Sequence, residues 1–243
     1  MPAHTRSRPP HQSRKVRPVP EVVAFDIYGT VIDTDGMAAH LEKAFGAKAQ
    51  EATRLWREKQ LEFSFRRGLM RKYVNFDVCT AQALTYVTER MRVHLNERDR
   101  GVLLDSYLRL PAFPDVKPAL ESLRDAGYTL MALTNGPEKS IRALLCHAGL
   151  ILYFEAIISV DEIMTFKPNP AVYEHLVRSV RRPKEKVWLV SGNPWDVIGA
   201  KAYGLKSVWL QRDPARIFDP WEFLPDVIVT SMEKLCADLP RQK

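Results

Sequence analysis

At 243 residues, 46% of them hydrophobic and 27% charged, the chain has the composition of a folded soluble protein and the length for one α/β domain carrying an insertion. No stretch approaches the roughly 18 consecutive apolar residues of a membrane span, and the start lacks the apolar segment of a secretory signal, so a cytoplasmic protein without a membrane partner is expected. Cys79, Cys146 and Cys236 are too scattered, and odd in number, for a disulfide framework or a closely spaced zinc site.

The net charge of +7 suggests nucleic-acid binding until it is located. Residues 1–20 carry Arg6, Arg8, Arg14, Lys15 and Arg17 with no acid, which leaves 31 basic against 29 acidic residues in the rest. With five prolines and no apolar periodicity, these residues read as a disordered basic tail, and no nucleic-acid partner is expected.

Val22–Phe25 is a short continuous apolar run, as in a parallel strand buried on both faces, and it ends at Asp26. From 33 to 113 the apolar spacing is helical only, over 36–45, 49–70, 80–95 and 98–110. Apolar runs return at 130–133, 157–158, 187–190, 207–210 and 227–230, with helix-like segments at 118–126, 137–147 and 170–180. This alternation predicts an α/β fold, a Rossmann-like parallel sheet core of about six strands. The core takes residues 21–32 and 114–243, and residues 33–113 form an inserted α-helical cap subdomain.

Ligands of open parallel sheets bind outside the carboxyl ends of the strands. The polar residues gather there: Asp26 after the first run, Thr134-Asn135-Gly136 after the second, Lys167 beyond the third, and Ser191-Gly192-Asn193 with Asp196 after the fourth. Each alone has an ordinary explanation as a turn, cap or solvated residue. Together they supply two carboxylates, an amine and several amide or hydroxyl groups, the makings of a hydrolytic site around a carboxylate nucleophile.

Phe25-Asp26-Ile27-Tyr28-Gly29-Thr30, Thr134-Asn135-Gly136, Lys167-Pro168 and the segment from Ser191 to Asp196 resemble, in order and spacing, the four motifs of the haloacid dehalogenase superfamily. Asp-x-Tyr-Gly-Thr, the segments 55–62 and 71–76, and Ser191-Gly192-Asn193-Pro194-Trp195-Asp196 are most similar to the type II L-2-haloacid dehalogenases. The chief alternative within the superfamily is a magnesium-dependent phosphatase. Such enzymes carry a second Asp two residues after the nucleophile and a metal-ligating Asp in the fourth motif, where this chain has Tyr28 and Gly192. A phenol with a pKa near 10 replaces a carboxylic acid poorly, whereas a halide departs without needing a proton. A non-catalytic binding protein on the same fold is a third reading, disfavoured by the joint presence of Asp26, Arg57, Lys167, Asn193 and Asp196.

The resemblance implies a metal-independent hydrolase with no cofactor, acting on short L-2-haloalkanoic acids through an Asp26 ester to give D-2-hydroxy acids, and usually a homodimer. It implies that Lys167 keeps Asp26 ionised and that Asp196, oriented by Ser191 and Asn193, activates water, with Lys167 as the alternative. The amides of Ile27 and Tyr28, with Thr134 and Asn135, would hold the substrate carboxylate, and Thr30 belongs to the same binding turn. Arg57, aided by Asn135, would receive the halide. Tyr173 would support the site, and Tyr28, Leu61, Phe76 and Trp195 would form an apolar pocket favouring short chains. Thr134 stands where the family commonly has serine and Glu58 where it has glutamine. If Glu58 faces the pocket, its charge would repel the substrate; if it faces solvent, nothing follows.

Overall fold

The computed structural model describes residues 21–239, so the tail expected over 1–20 lies outside the described residues. Strand β1 (Val22–Phe25) is apolar and buried at all four positions, as a strand covered on both faces must be. With β2 (Thr129–Thr134), β3 (Ala156–Ser159), β4 (Val187–Ser191), β5 (Lys206–Leu210) and β6 (Val227–Val229) it forms a six-stranded sheet. The order is β3-β2-β1-β4-β5-β6 and every pairing is parallel, which bears out the expected Rossmann-like α/β core. Strand β1 is the switch point: the chain builds outward through β2 and β3, then crosses to β4 on the other side of β1. The carboxyl ends of β1, β2 and β4 therefore border one crevice.

Between β1 and β2 the chain forms α1 (Met37–Phe45), α2 (Ala49–Met70), α3 (Phe76–Met91) and α4 (Glu97–Ser106). Helix α2 packs against both α1 and α3. Helix α3 begins four residues before the expected Thr80, because the Asn75 side chain caps it by accepting the Val78 amide. Helix α4 stops at Ser106, and Tyr107–Arg109 continues as one 3-10 turn. The chain entering and leaving these helices is tied by an antiparallel bridge between Ile32 and Ala112, flanked by hydrogen bonds from the Asp33 amide to Pro111 O and from the Phe113 amide to Val31 O.

The remaining helices are α5 (Val116–Asp125), α6 (Glu138–His147), α7 (Pro170–Val180), α8 (Pro194–Tyr203) and α9 (Met232–Asp238). Just beyond β5, Arg212 donates to both carboxylate oxygens of Asp115 at 3.1 and 3.2 Å and twice to the carbonyl of Thr30, at 3.1 and 2.7 Å. One guanidinium thus fixes the turn that follows β1 to the start of α5. No helix among the described residues is long and apolar enough to cross a membrane.

Candidate active site

Asp26 follows β1 and is buried. Its Oδ2 accepts from Thr30 Oγ1 at 2.7 Å and from Asn193 Nδ2 at 2.8 Å, and its Oδ1 accepts from Lys167 Nζ at 2.9 Å. The turn that delivers Thr30 closes on Ile27, whose carbonyl accepts from the amides of residues 30, 31 and 32, and Gly29 holds a φ of 81° there that favours glycine. The amides of Ile27 and Tyr28 have no hydrogen-bond partner among the described residues. They are two donors free to receive an anion beside Asp26.

Lys167 lies on the loop before α7, fully buried, and its ammonium also donates to Asp196 Oδ2 at 2.9 Å. Burial works against its charge, but Asp196 and Asp26 together outweigh it and raise its pKa above the ordinary 10.5. The ammonium therefore stays protonated throughout the neutral range. Asp196, in the first turn of α8, is raised by burial and by the charge of Asp26, against the opposing pull of Lys167. Its Oδ1 accepts from Tyr173 Oη at 2.8 Å.

The fourth motif is wired differently from the expectation that Ser191 and Asn193 orient Asp196. Ser191 Oγ accepts the amide of Asn193, and Asn193 Nδ2 reaches Asp26 and the Tyr28 carbonyl, at 3.1 Å for the latter. The carboxylate of Asp196 is held by Lys167 and Tyr173 instead. The sequence shows that these residues share a turn but not which way each side chain leaves it. In the second motif, Thr134 Oγ1 accepts the Gly136 amide and Asn135 Oδ1 accepts the backbone amide of Lys167 at 2.9 Å, so both side chains also shape their loops.

Arg57, on α2, donates to the Tyr28 carbonyl at 3.3 Å and lies 5.8 Å from the centroid of the Tyr28 ring. It shares that carbonyl with Asn193, which brings the guanidinium next to Asp26 without touching it. Tyr28 is buried and stacks on Phe76 at 6.1 Å, and burial drives its phenol far above the ordinary range. Leu61 is half-buried one turn beyond Arg57, and Trp195 meets Phe65 edge-on at 5.2 Å. Glu58 is exposed, so of the two outcomes posed by the sequence it takes the one without consequence for the pocket.

Gly192 could not carry any side chain on this backbone, because a Cβ would stand 2.5 Å from the Gly29 carbonyl oxygen. Among the described residues no three His, Cys, Asp or Glu side chains form a group able to hold a metal ion.

The family described as haloacid dehalogenase-like hydrolase matches residues 20–204. This chain belongs to that family. Among its members, an (S)-2-haloacid dehalogenase of Pseudomonas sp. (strain YL) is 37% identical over 86% of this chain and 90% of its own. Haloacetate dehalogenase H-2 of Moraxella sp. (strain B) is 38% identical over 88% and 96%. The L-2-haloacid dehalogenase from Xanthobacter autotrophicus, solved also with chloropropionic acid covalently bound, superposes with a TM-score of 0.83 at 29% identity, covering 90% of this chain and 98% of that one.

Two contributors, Tyr107 and Gly199, escaped the motif reading, and a third, Gln60, stood in the matched segment 55–62 without an assigned role. Gln60 is fully buried, donates to Thr80 Oγ1 at 3.0 Å, and accepts from Tyr107 Oη at 3.1 Å and from Arg57 at 3.4 Å, so it steadies the guanidinium. Burial pushes the Tyr107 phenol up to about 12, keeping it a donor. Gly199 packs beneath Tyr173: a Cβ there would stand 2.4 Å from Tyr173 Oη and 2.6 Å from Pro168 Cβ. A glycine inside a helix, three residues after Asp196, was the available signal. Gly199→Ala is expected to displace the Tyr173 hydroxyl from Asp196 and to lower hydrolase turnover about a hundredfold with the far-UV circular dichroism preserved. Wild-type turnover would show that Asp196 does not depend on that contact.

Proposed function

We propose that the chain hydrolyses short L-2-haloalkanoic acids to D-2-hydroxy acids through an ester on Asp26, without a metal ion, as a cytoplasmic homodimer. The supporting observation is a buried carboxylate that carries a cation and two donors but has no protonating group where a leaving alkoxide would need one. The phenol of Tyr28, driven upward by burial, transfers no proton readily at neutral pH. A hydrolase acting on carbon–halide bonds needs none, because the halide leaves as an anion. Cys79, Cys146 and Cys236 are free thiols, in keeping with a reducing compartment. The homodimer rests on the family resemblance alone.

In this reading residues 33–113 are the cap and residues 21–32 with 114–243 the core. The substrate carboxylate binds the free amides of Ile27 and Tyr28, beside Thr134 and Asn135. Oδ2 of Asp26 already accepts two hydrogen bonds and Oδ1 only one, so Oδ1 keeps a lone pair for attack on C2. The C2–halogen bond breaks with inversion, the halide leaves toward Arg57 and Asn135, and Leu61, Phe76, Trp195 and the Tyr28 ring surround the alkyl group. The ester has lost the charge of Asp26, leaving Lys167 paired with Asp196 alone. Asp196 then takes a proton from water as that water attacks Asp26 Cγ. The intermediate collapses, the alkyl oxygen takes that proton from Asp196 and departs as the 2-hydroxy acid, and the second proton of the water passes to solvent, which restores the Asp26 carboxylate.

Bromide or chloride release from the L but not the D enantiomer of a 2-halopropionate, unchanged in excess EDTA, is the expected result. Magnesium-dependent hydrolysis of a phosphate ester with no halide release would overturn the proposal in favour of a phosphatase. Arg57→Ala is expected to lower kcat by about a hundredfold, and Arg57→Lys by less, because the charge survives without the planar fork. Full turnover in the Ala variant would remove the halide cradle from this mechanism.

A further inference from the structure

The apolar side of the centre does not end at Trp195. On α2, Arg57, Leu61, Phe65 and then Gly68 and Leu69 follow at helical spacing along one face. On the core side, Trp195 adjoins Asp196, and Lys167 adjoins Pro168. Both walls lead to a cavity of about 630 Å³ bordered by Phe65, Gly68, Leu69, Pro168, Trp195 and Trp221. Its size falls within the range of about 300 to 1,000 Å³ typical of small-molecule sites. Lys167, whose ammonium touches Asp26, is also part of its wall. Leu69 is 86% exposed and Trp221 59%, so large apolar surfaces here stand uncovered.

Gly68 keeps this space open. It lies inside α2, where glycine costs about 1 kcal/mol relative to alanine. The nearest atoms that a Cβ on it would meet belong to Thr165 and Phe166, at 3.8 to 4.0 Å, which is ordinary contact. Neither the backbone nor close packing requires glycine at this position, and a larger side chain would grow into the cavity.

We propose that this cavity is a distal acyl-chain site, which takes the unbranched alkyl tail of 2-haloacids longer than the short ones while C2 and the carboxylate remain at Asp26. The inference rests on the dehalogenase reading and extends its substrate class. The tail runs along Leu61 and Trp195 and passes the half-buried Phe65 ring into the cavity, where it covers Leu69 and Trp221. The occupant is an alkyl chain because the lining is mainly apolar and two of its residues, Lys167 and Trp195, adjoin the reacting carboxylates, the first through its ammonium on Asp26 and the second as the neighbour of Asp196.

The test is a series of L-2-bromoalkanoates from propanoate to octanoate, with tryptophan fluorescence titrations of unreactive propanoate and octanoate alongside. Beyond butanoate, kcat/KM is expected to rise by up to about fourfold per methylene, the value of about 0.8 kcal/mol for each buried CH₂. Gly68→Leu is expected to flatten the series while 2-bromopropanoate turnover stays at the wild-type level, with Gly68→Ala in between. A flat or falling wild-type series, or Gly68→Leu slowing short and long acids alike, overturns the distal site and leaves the dehalogenase reading intact. If no acid releases halide but octanoate binds more tightly than propanoate, and Gly68→Leu abolishes the difference, the dehalogenase reading fails and the tail site stands. A shift in oligomeric state on Gly68→Leu, with no octanoate binding, would mean that a second copy of the chain covers the cavity and would overturn the proposal.

Discussion

The ammonium of Lys167, wholly buried and 2.9 Å from both Asp26 and Asp196, is the interaction on which the centre depends. Two carboxylates this close, out of water, would not both remain ionised without a cation between them. Much of the surrounding structure serves to hold that cation in place. Asn135 anchors the backbone amide of Lys167, and Tyr173 fixes the far oxygen of Asp196. Thr30 and Asn193 pin the second oxygen of Asp26, and Arg212 clamps the turn that carries Thr30. Losing Lys167 would leave two buried carboxylates without a counter-charge, whereas neutralising Asp26 leaves Lys167 paired with Asp196.

The same turns also limit which side chains can stand beside Asp26. Lys167 takes one oxygen of each carboxylate, which holds the two acids at a fixed separation around its ammonium. The fourth-motif position where a further ligand would stand is closed to every side chain by the carbonyl of Gly29. Asp26 Oδ1 accepts one hydrogen bond and its Oδ2 two, while each oxygen of Asp196 accepts one side-chain donor, Tyr173 or Lys167.

The sheet was legible because its strands are continuous apolar runs, and the chemistry because polar residues stand where those runs stop. Asp26, Lys167 and Asp196 could be assigned to one crevice on that basis. The direction each side chain takes within its turn was not legible. Asn193 belongs to the same turn as Asp196, yet its amide reaches Asp26, a choice made by the β4 to α8 connection in three dimensions. Glu58 and Arg57 are neighbours in sequence, and the helical rotation of about 100° per residue sends one to solvent and the other over Tyr28. Gly199 acts by leaving space for Tyr173 and Gln60 by hydrogen bonds to Thr80, Tyr107 and Arg57, contacts that sequence spacing does not encode. The start of α3 was missed because its cap, Asn75, carries the signal while the apolar spacing does not become regular until later.

The covalent role of Asp26 is tested most directly by one turnover in ¹⁸O-water, with enzyme in excess over an L-2-haloacid. If Asp26 attacks carbon and water then attacks the Asp26 carbonyl, the first 2-hydroxy acid released carries a protein oxygen and is largely unlabelled, while the peptide containing Asp26 gains the mass of one ¹⁸O. Labelled product together with an unlabelled Asp26 peptide would mean that water attacks the substrate directly, and would contradict this account.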